Sequence, residues 1–229
     1  MLKNSYYLKY SPMDNFKLKL SKVFLFLCII LCGFSLIFNV TYSVVTVEGA
    51  SMYPLLNEKN GPNGTATVLK NDRVVLNYIK TINKGDIIVV KHFDGQDSYN
   101  YVIKRLIATG GDTVEVKENG DVYVNDKLLV EDYVASSQEN KLKFYQRFCE
   151  LKNVTNPYAE NGQKWAECFD GNKLTIPKDC VFYLGDNRYI SRDCSCYGPV
   201  KEEYVVSKVD FILHNGESVI GEILKQIFN

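Results

Sequence analysis

The sequence predicts a mainly β domain, a bent antiparallel sheet or barrel with a variable β cap, behind one N-terminal transmembrane helix. Two observations carry that reading. One is a single apolar stretch, Val23 to Val40, whose apolar character resumes as far as Val47. The other is a succession of short runs rich in β-branched and aromatic residues, separated by glycine, asparagine and aspartate, the punctuation of strands rather than helices. A chain of 229 residues has room for one good core and a smaller subdomain.

Lys3, Lys9, Lys17, Lys19 and Lys22 are opposed only by Asp14 in the first 22 residues, so the positive-inside rule keeps the N-terminus cytoplasmic. Residues 1–22 read as a cytoplasmic basic segment and 23–45 as the span, since about 20 residues of helix cross the hydrocarbon. Residues 46–229 then form an extracytoplasmic domain of a plasma-membrane protein, with the lipid bilayer as a partner. A cleaved secretory signal is the alternative, but the apolar run exceeds the usual h-region and no clean Ala-x-Ala follows it. With 27 basic and 27 acidic residues no global field favours nucleic acid, and none is expected as a partner. Two histidines leave little scope for metal chemistry; neither a metal nor a cofactor is expected. Oligomeric state is open.

Strands are expected at Thr67–Leu69, Arg73–Tyr78, Asp86–His92, Asn100–Ile107, Thr113–Val116 and Asp121–Val124. Asn119-Gly120 between the last two predicts a type I′ hairpin. From about Glu131 to Gly171 the alternation fades, which predicts an insertion with its own few strands and loops, the cap spanning about 117–178. Strand character returns at Lys173–Ile176 and Cys180–Leu184, and Ser218–Phe228 has the spacing of a short amphipathic helix.

Cysteine is frequent. Cys149, Cys168, Cys180, Cys194 and Cys196 fall beyond the span, an odd number that leaves at least one thiol unpaired within a monomer. One or two disulfides suit an extracytoplasmic domain, and Cys149 with Cys168 closes a loop of ordinary length; the pairing is open. Zinc on Cys180, Cys194 and Cys196 lacks the C-x-x-C spacing common at structural sites.

Chemistry concentrates at Ser51 and Lys104. A lysine titrates near about 10.4 in water and serves as a base only where burial makes its ammonium costly. On a strand through Tyr101 to Ile107, Lys104 shares a face with Val102 and Leu106, while Arg105 points the other way, toward solvent. Gly49 and Ala50 leave the approach to Ser51 uncrowded and Pro54 fixes the chain direction after it. A carbonyl can thus reach the hydroxyl while the Ser51 backbone N–H faces the developing oxyanion.

These residues stand in five ordered blocks: the N-terminal span; Gly-x-Ser-Met-x-Pro at Gly49 to Pro54; Asn71–Val75 followed by Lys84–Val89; Tyr101 to Asp112; and Phe182–Arg188 through Ser191, Asp193 and Gly198. In that order they resemble type I signal peptidases of the Gram-positive kind, membrane-bound Ser/Lys serine endopeptidases that remove signal peptides from exported preproteins. The resemblance covers most of residues 23–200. It implies Ser51 as nucleophile and Lys104 as general base, Ser191 as the hydroxyl that orients the lysine amine, and Asp193 as a supporting acid. Gly49 stands where some relatives carry a second oxyanion donor. The resemblance also implies a signal peptide bound as an added strand, with small residues entering pockets walled by Val45, Val47, Met52, Leu56, Val102 and Ile103.

The last block departs from the family pattern Ser-x-Asp-Ser-Arg. Ser191-Arg192-Asp193-Cys194-Ser195 puts Ser195 at the arginine position, so the usual Asp–Arg pair is lost unless Arg188 or Arg192 replaces it. Reduced robustness rather than inactivity is the expectation. The competing readings are a non-catalytic relative that binds secreted or pilin-like proteins, a self-cleaving repressor, and a plain membrane-anchored structural domain. The span, and the lack of a helix-turn-helix before Ser51, argue against the repressor.

Overall fold

A computed structural model describes residues 12–61, 71–79, 81–93, 99–134, 138–159, 163–214, 218 and 221. The strand expected at Thr67–Leu69 lies outside them, as does the expected C-terminal helix apart from Ser218 and Gly221. The chain divides into two units, Met1–Tyr42 and Ser43–Asn229.

The first unit holds α1, Pro12–Thr41. Proline suits a helix start because its missing N–H would have no intrahelical partner there. Within α1, Phe16–Thr41 is 26 residues long and contains an 18-residue window of mean hydropathy 2.7, none of that window buried against protein; its length is about 39 Å of helix against a hydrocarbon layer of about 30 Å. Two sequence expectations change. The helix starts well before residue 23, so Lys17, Lys19 and Lys22 lie on it; and it stops at Thr41, where β1, Tyr42–Thr46, takes over. Val45 is therefore a strand residue. Tyr42-Ser43-Val44-Val45-Thr46 is rich in β-branched and aromatic side chains, which lose rotamer freedom in a helix and fit a pleated surface.

The second unit is mainly β. Beyond β1 the principal sheet contains β2 (Arg73–Asn77), β3 (Ile87–Phe93) and β4 (Tyr99–Thr109). The smaller sheet takes β5 (Thr113–Val116), β6 (Val122–Val124), β7 (Lys127–Leu128), β8 (Phe169–Asp170) and β9 (Lys173–Thr175). Then β10 (Cys180–Leu184), β11 (Val200–Lys201) and β12 (Val205–Leu213) return to the first. The orders are β1-β2-β12-β3-β4-β10-β11 and β7-β6-β5-β9-β8. Register shifts at Phe182/Tyr183 in β10 and at Val205/Ser207 and Val209/Phe211 in β12 add the bends that curl the larger sheet.

The expected β5–β6 hairpin is present, but its turn differs. Lys117 N donates to Asp121 O at 2.9 Å and Gly120 N to Lys117 O at 2.8 Å, and only Gly120 has positive φ. Glu118 to Gly120 thus form a three-residue loop ending in a left-handed glycine, not a two-residue I′ turn. The I′ signature sits one hairpin later: Asn125 and Asp126 both have positive φ between the paired Val124 and Lys127.

The cap also departs from the β expectation. Gln138–Glu150 is a helix, α2, with Glu139 in its first turn and Arg147 in its last, the arrangement the helix dipole favours. Phe144, Phe148 and Leu151 fall at i, i+4 and i+7 and are buried to 1% exposure or less. They pack into the main core with Trp165, Leu174 and Phe182; the Phe148 and Phe182 rings meet edge to face at 6.2 Å. A smaller cluster of Val47, Met52, Leu56, Val74, Leu76 and Val89 lies under the Ser51 segment.

None of the seven cysteines is disulfide-bonded, so of the pairings the sequence leaves open, Cys149 with Cys168 included, none is made. Cys194 opens the short helix α3 (Cys194–Tyr197) and is fully buried. Its sulfur accepts from Tyr183 N at 3.3 Å, a contact within the core. No metal-ligand cluster occurs among the described residues.

Candidate active site

The turn that carries Ser51 is tied down on both sides. Upstream, Asn57, in a left-handed conformation, donates through Nδ2 to Val47 O at 3.0 Å and Gly49 O at 2.8 Å. Its other groups bind Asp72: Asn57 N donates to Asp72 Oδ2 and Asp72 N to Asn57 Oδ1, both at 2.7 Å. Downstream, Asn187 N donates to Ser51 O at 3.0 Å and Asn187 Nδ2 to Ala50 O at 3.1 Å. Gly49 has φ +80°, which a side chain would strain. Asn57→Ala strips partners from buried groups, so it should cost about 2–4 kcal/mol, read as a lower denaturant midpoint with the same slope.

Lys104 projects from β4, paired to β3 at Ile88, and is 3% exposed. Its Nζ lies 3.0 Å from Ser51 Oγ and 2.9 Å from Ile103 O. Burial holds its pKa below the ordinary lysine value, and the Asp193, Cys194 and Asp186 charges work against that lowering. Their weights differ. Burial pushes the Cys194 thiol well up, so it is neutral. Asp186 is paired with Arg105, Nε to Oδ1 at 2.9 Å and Nη2 to Oδ2 at 2.7 Å. Asp193 is the anion left to oppose the loss of the Lys104 proton.

The Arg105–Asp186 pair corrects one expectation: Arg105 does not point to solvent but stacks over Tyr133 at 3.9 Å and binds a fully buried carboxylate. Period 2 puts it on the opposite face from Lys104, and that face is covered by the 131–133 and 185–188 segments. Another correction concerns Ser191. Its Oγ is buried without a hydrogen-bond partner, so the expected bond to the Lys104 amine is not made; the amine is engaged by Ser51 and by Ile103 O.

Asp193 is fully buried. Oδ2 accepts from Gly185 N at 2.9 Å, and Oδ1 from Ser195 N at 3.0 Å and Ser195 Oγ at 2.7 Å, so the carboxylate also caps α3. Neither proposed stand-in for the missing arginine reaches it. Arg188 pairs with Glu131 and donates to Gly185 O at 3.0 Å, and Arg192 lies over the Tyr197 ring.

Beside Ser51 and Lys104 opens a cavity of about 610 Å³. Of the expected wall residues, Val45, Val47, Val102 and Ile103 line it. Met52 and Leu56 do not; they are core side chains, 2% and 1% exposed. Their place is taken by Leu76, Val89, Tyr78, Tyr101 and Glu48. Leu76 and Val89 alternate correctly for the cleft face of β2 and β3, a signal visible in the sequence once those strands are known to flank the site. Asp72 and Asn187 are legible only as members of the ordered blocks, and Asn57 lies outside them, with no signal in the sequence to mark it.

A family model described as signal peptidase, peptidase S26, matches residues 18–214. The chain is 31% identical over 167 residues to signal peptidase I of Bacillus amyloliquefaciens, covering 72% of this chain and 70% of that one. It is 31% identical over 171 residues to signal peptidase IB of Staphylococcus aureus strain Mu50, covering 72% and 74%. A crystal structure of a signal peptidase I from Enterococcus faecalis V583 aligns at 28% identity and a TM-score of 0.36, covering 57% of this chain and 97% of that one. From a family match across most of its length and relatives aligned over more than two-thirds of theirs, the chain belongs to the signal peptidases of family S26, serine proteases that remove signal peptides.

Proposed function

We propose that this is a membrane-anchored type I signal peptidase in which Ser51 is the nucleophile and Lys104 the general base. The observation that carries the reading is a buried amine 3.0 Å from a serine hydroxyl at the edge of an apolar cleft. The neutral amine takes the Ser51 Oγ proton as Oγ bonds to the scissile carbonyl carbon. The Ser51 backbone N–H stabilises the oxyanion. The lysine ammonium then passes its proton to the leaving amine as the C–N bond breaks, and the neutral amine next deprotonates the water that opens the acyl-enzyme. The signal peptide lies as an extended strand, its small apolar side chains against Val45, Val47, Val102, Ile103, Leu76 and Val89. Helix α1 anchors the protein in the plasma membrane with its N-terminus cytoplasmic, the basic residues favouring that orientation.

The test is cleavage of a preprotein with an Ala-x-Ala signal by the detergent-solubilised full chain. Wild type should cut at the signal junction, and Ser51→Ala and Lys104→Ala should each lose at least about a thousandfold in kcat/KM. Unimpaired cleavage by either variant would sink the assignment of that residue. A folded wild type that cuts no such substrate would favour the non-catalytic binding reading.

A further inference from the structure

Helix α2 belongs to the cap, yet one of its side chains reaches Ser195, the hydroxyl that binds the Asp193 carboxylate. Arg147 Nε donates to Ser195 Oγ at 2.8 Å, and Arg147 Nη2 to Arg188 O at 2.9 Å. A hydroxyl that accepts from a guanidinium must aim its single proton elsewhere. Here it goes to Asp193 Oδ1 at 2.7 Å. The other carboxylate oxygen holds Gly185 N, at the head of the segment whose Asn187 grips Ser51 and Ala50. Hydrogen bonds, joined by the short backbone step from Gly185 to Asn187, therefore link α2 to the nucleophile turn.

Charge follows the same path. Lys104 is faced by Asp193, by Cys194 and by Asp186. Asp186 is matched by Arg105, with Arg188 and Glu131 beyond it. Near Asp193 stand Tyr183, Cys194 and Tyr197, which burial keeps protonated, and Arg192, which lies over the Tyr197 ring. Among the described residues no cation pairs with Asp193 directly; Arg147 is the one that binds its hydroxyl partner.

We propose that Arg147 is a positioning residue for the Ser51–Lys104 site: through Ser195 it fixes the Asp193 carboxylate and balances its charge. The proposal rests on the Ser51–Lys104 reading above. It places a determinant of the base in the cap, 48 residues from the hydroxyl it engages. Without Arg147, the Asp193 charge acts on Lys104 unrelieved, its ammonium is favoured, and the base is ready only at higher pH.

The experiment measures kcat and KM against pH for the full chain in detergent, comparing wild type, Ser51→Ala, Arg147→Ala, Arg147→Lys and Ser195→Ala. Arg147→Ala should lose roughly ten- to hundredfold in kcat, the size of one charge-assisted hydrogen bond, with KM little changed and the acidic limb of the profile moved to higher pH. Arg147→Lys should recover part of both. Ser195→Ala keeps α2 and its arginine and should lower kcat in the same direction, so it decides the matter if Arg147→Ala fails to fold. Wild-type kcat and acidic limb in Arg147→Ala and Ser195→Ala, beside an inactive Ser51→Ala, would overturn the proposal and leave the dyad standing. A loss with an unmoved limb and no recovery in Arg147→Lys would also overturn it, reducing Arg147 to a structural role. An active Ser51→Ala would instead overturn the dyad reading itself.

Discussion

Lys104→Arg should abolish cleavage, by at least about a thousandfold in kcat/KM, at every pH from about 6 to 10. A guanidinium keeps its proton throughout that range, so it cannot take the proton of Ser51 Oγ however well it is placed. For the wild type, the acidic limb of kcat/KM should report Lys104 at a pH below the ordinary lysine value, because burial is the dominant influence on the amine. Stability carries the same signature with a definite sign. A lysine whose folded pKa is depressed contributes stability that is full above its unfolded value of about 10.4 and is lost as pH falls through the folded value. Lys104→Met removes the buried ammonium, so the variant should outlast the wild type in denaturant near neutral pH, and the gap should close as pH rises toward that unfolded value. An Arg variant that still cleaves, or a stability gap that does not change with pH, would refute the role of Lys104 as a buried base.

Gly185→Ala should damage both the fold and the candidate site, because the added methyl group meets the Ser51 turn itself. A Cβ there would lie 2.2 Å from Ser191 Oγ and 2.5 Å from the Ser51 carbonyl oxygen, and the carbonyl belongs to backbone that Asn187 already grips. Only glycine lets the 185–191 segment come this close to the Ser51 turn. Forcing the two apart should cost about 1–3 kcal/mol of stability and roughly a hundredfold in kcat, since misplacement by about 1 Å has that effect on a reacting pair. Thermal melts and single-turnover cleavage read the two losses separately. A variant with wild-type kcat would show that the segment does not hold Ser51 in place.

Much of the fold was legible because its signals are local. A single apolar run marks the span-length helix, and β-branched alternation marks β2 to β6, β9 and β10 within a residue or two. The errors were local signals overridden or overlooked. Asn-Gly suggested a I′ turn at 119–120, but the pairing of Val116 with Val122 leaves too many residues for one. The α2 segment reads from the sequence as strands and loops because its lysines, glutamates and glutamines hide a two-phenylalanine stripe that has meaning only against the core it faces.

By itself the sequence determined the order of elements, the single span-length helix, the serine on a turn with an uncrowded approach and the lysine on an apolar strand face. Each rests on spacing within a few residues, where covalent geometry dictates which side chains share a face. Only the tertiary structure decided which partners meet. It set Lys104 beside a serine 53 residues away, gave Arg105 to Asp186, clamped Asn57 on Asp72, and linked Arg147 to Asp193 through the serine at the arginine position. It also moved Met52 and Leu56 from cleft wall to core. Buried polar groups must find partners wherever the packed chain supplies them, and no period in a sequence records which donor a fold will bring within 3 Å.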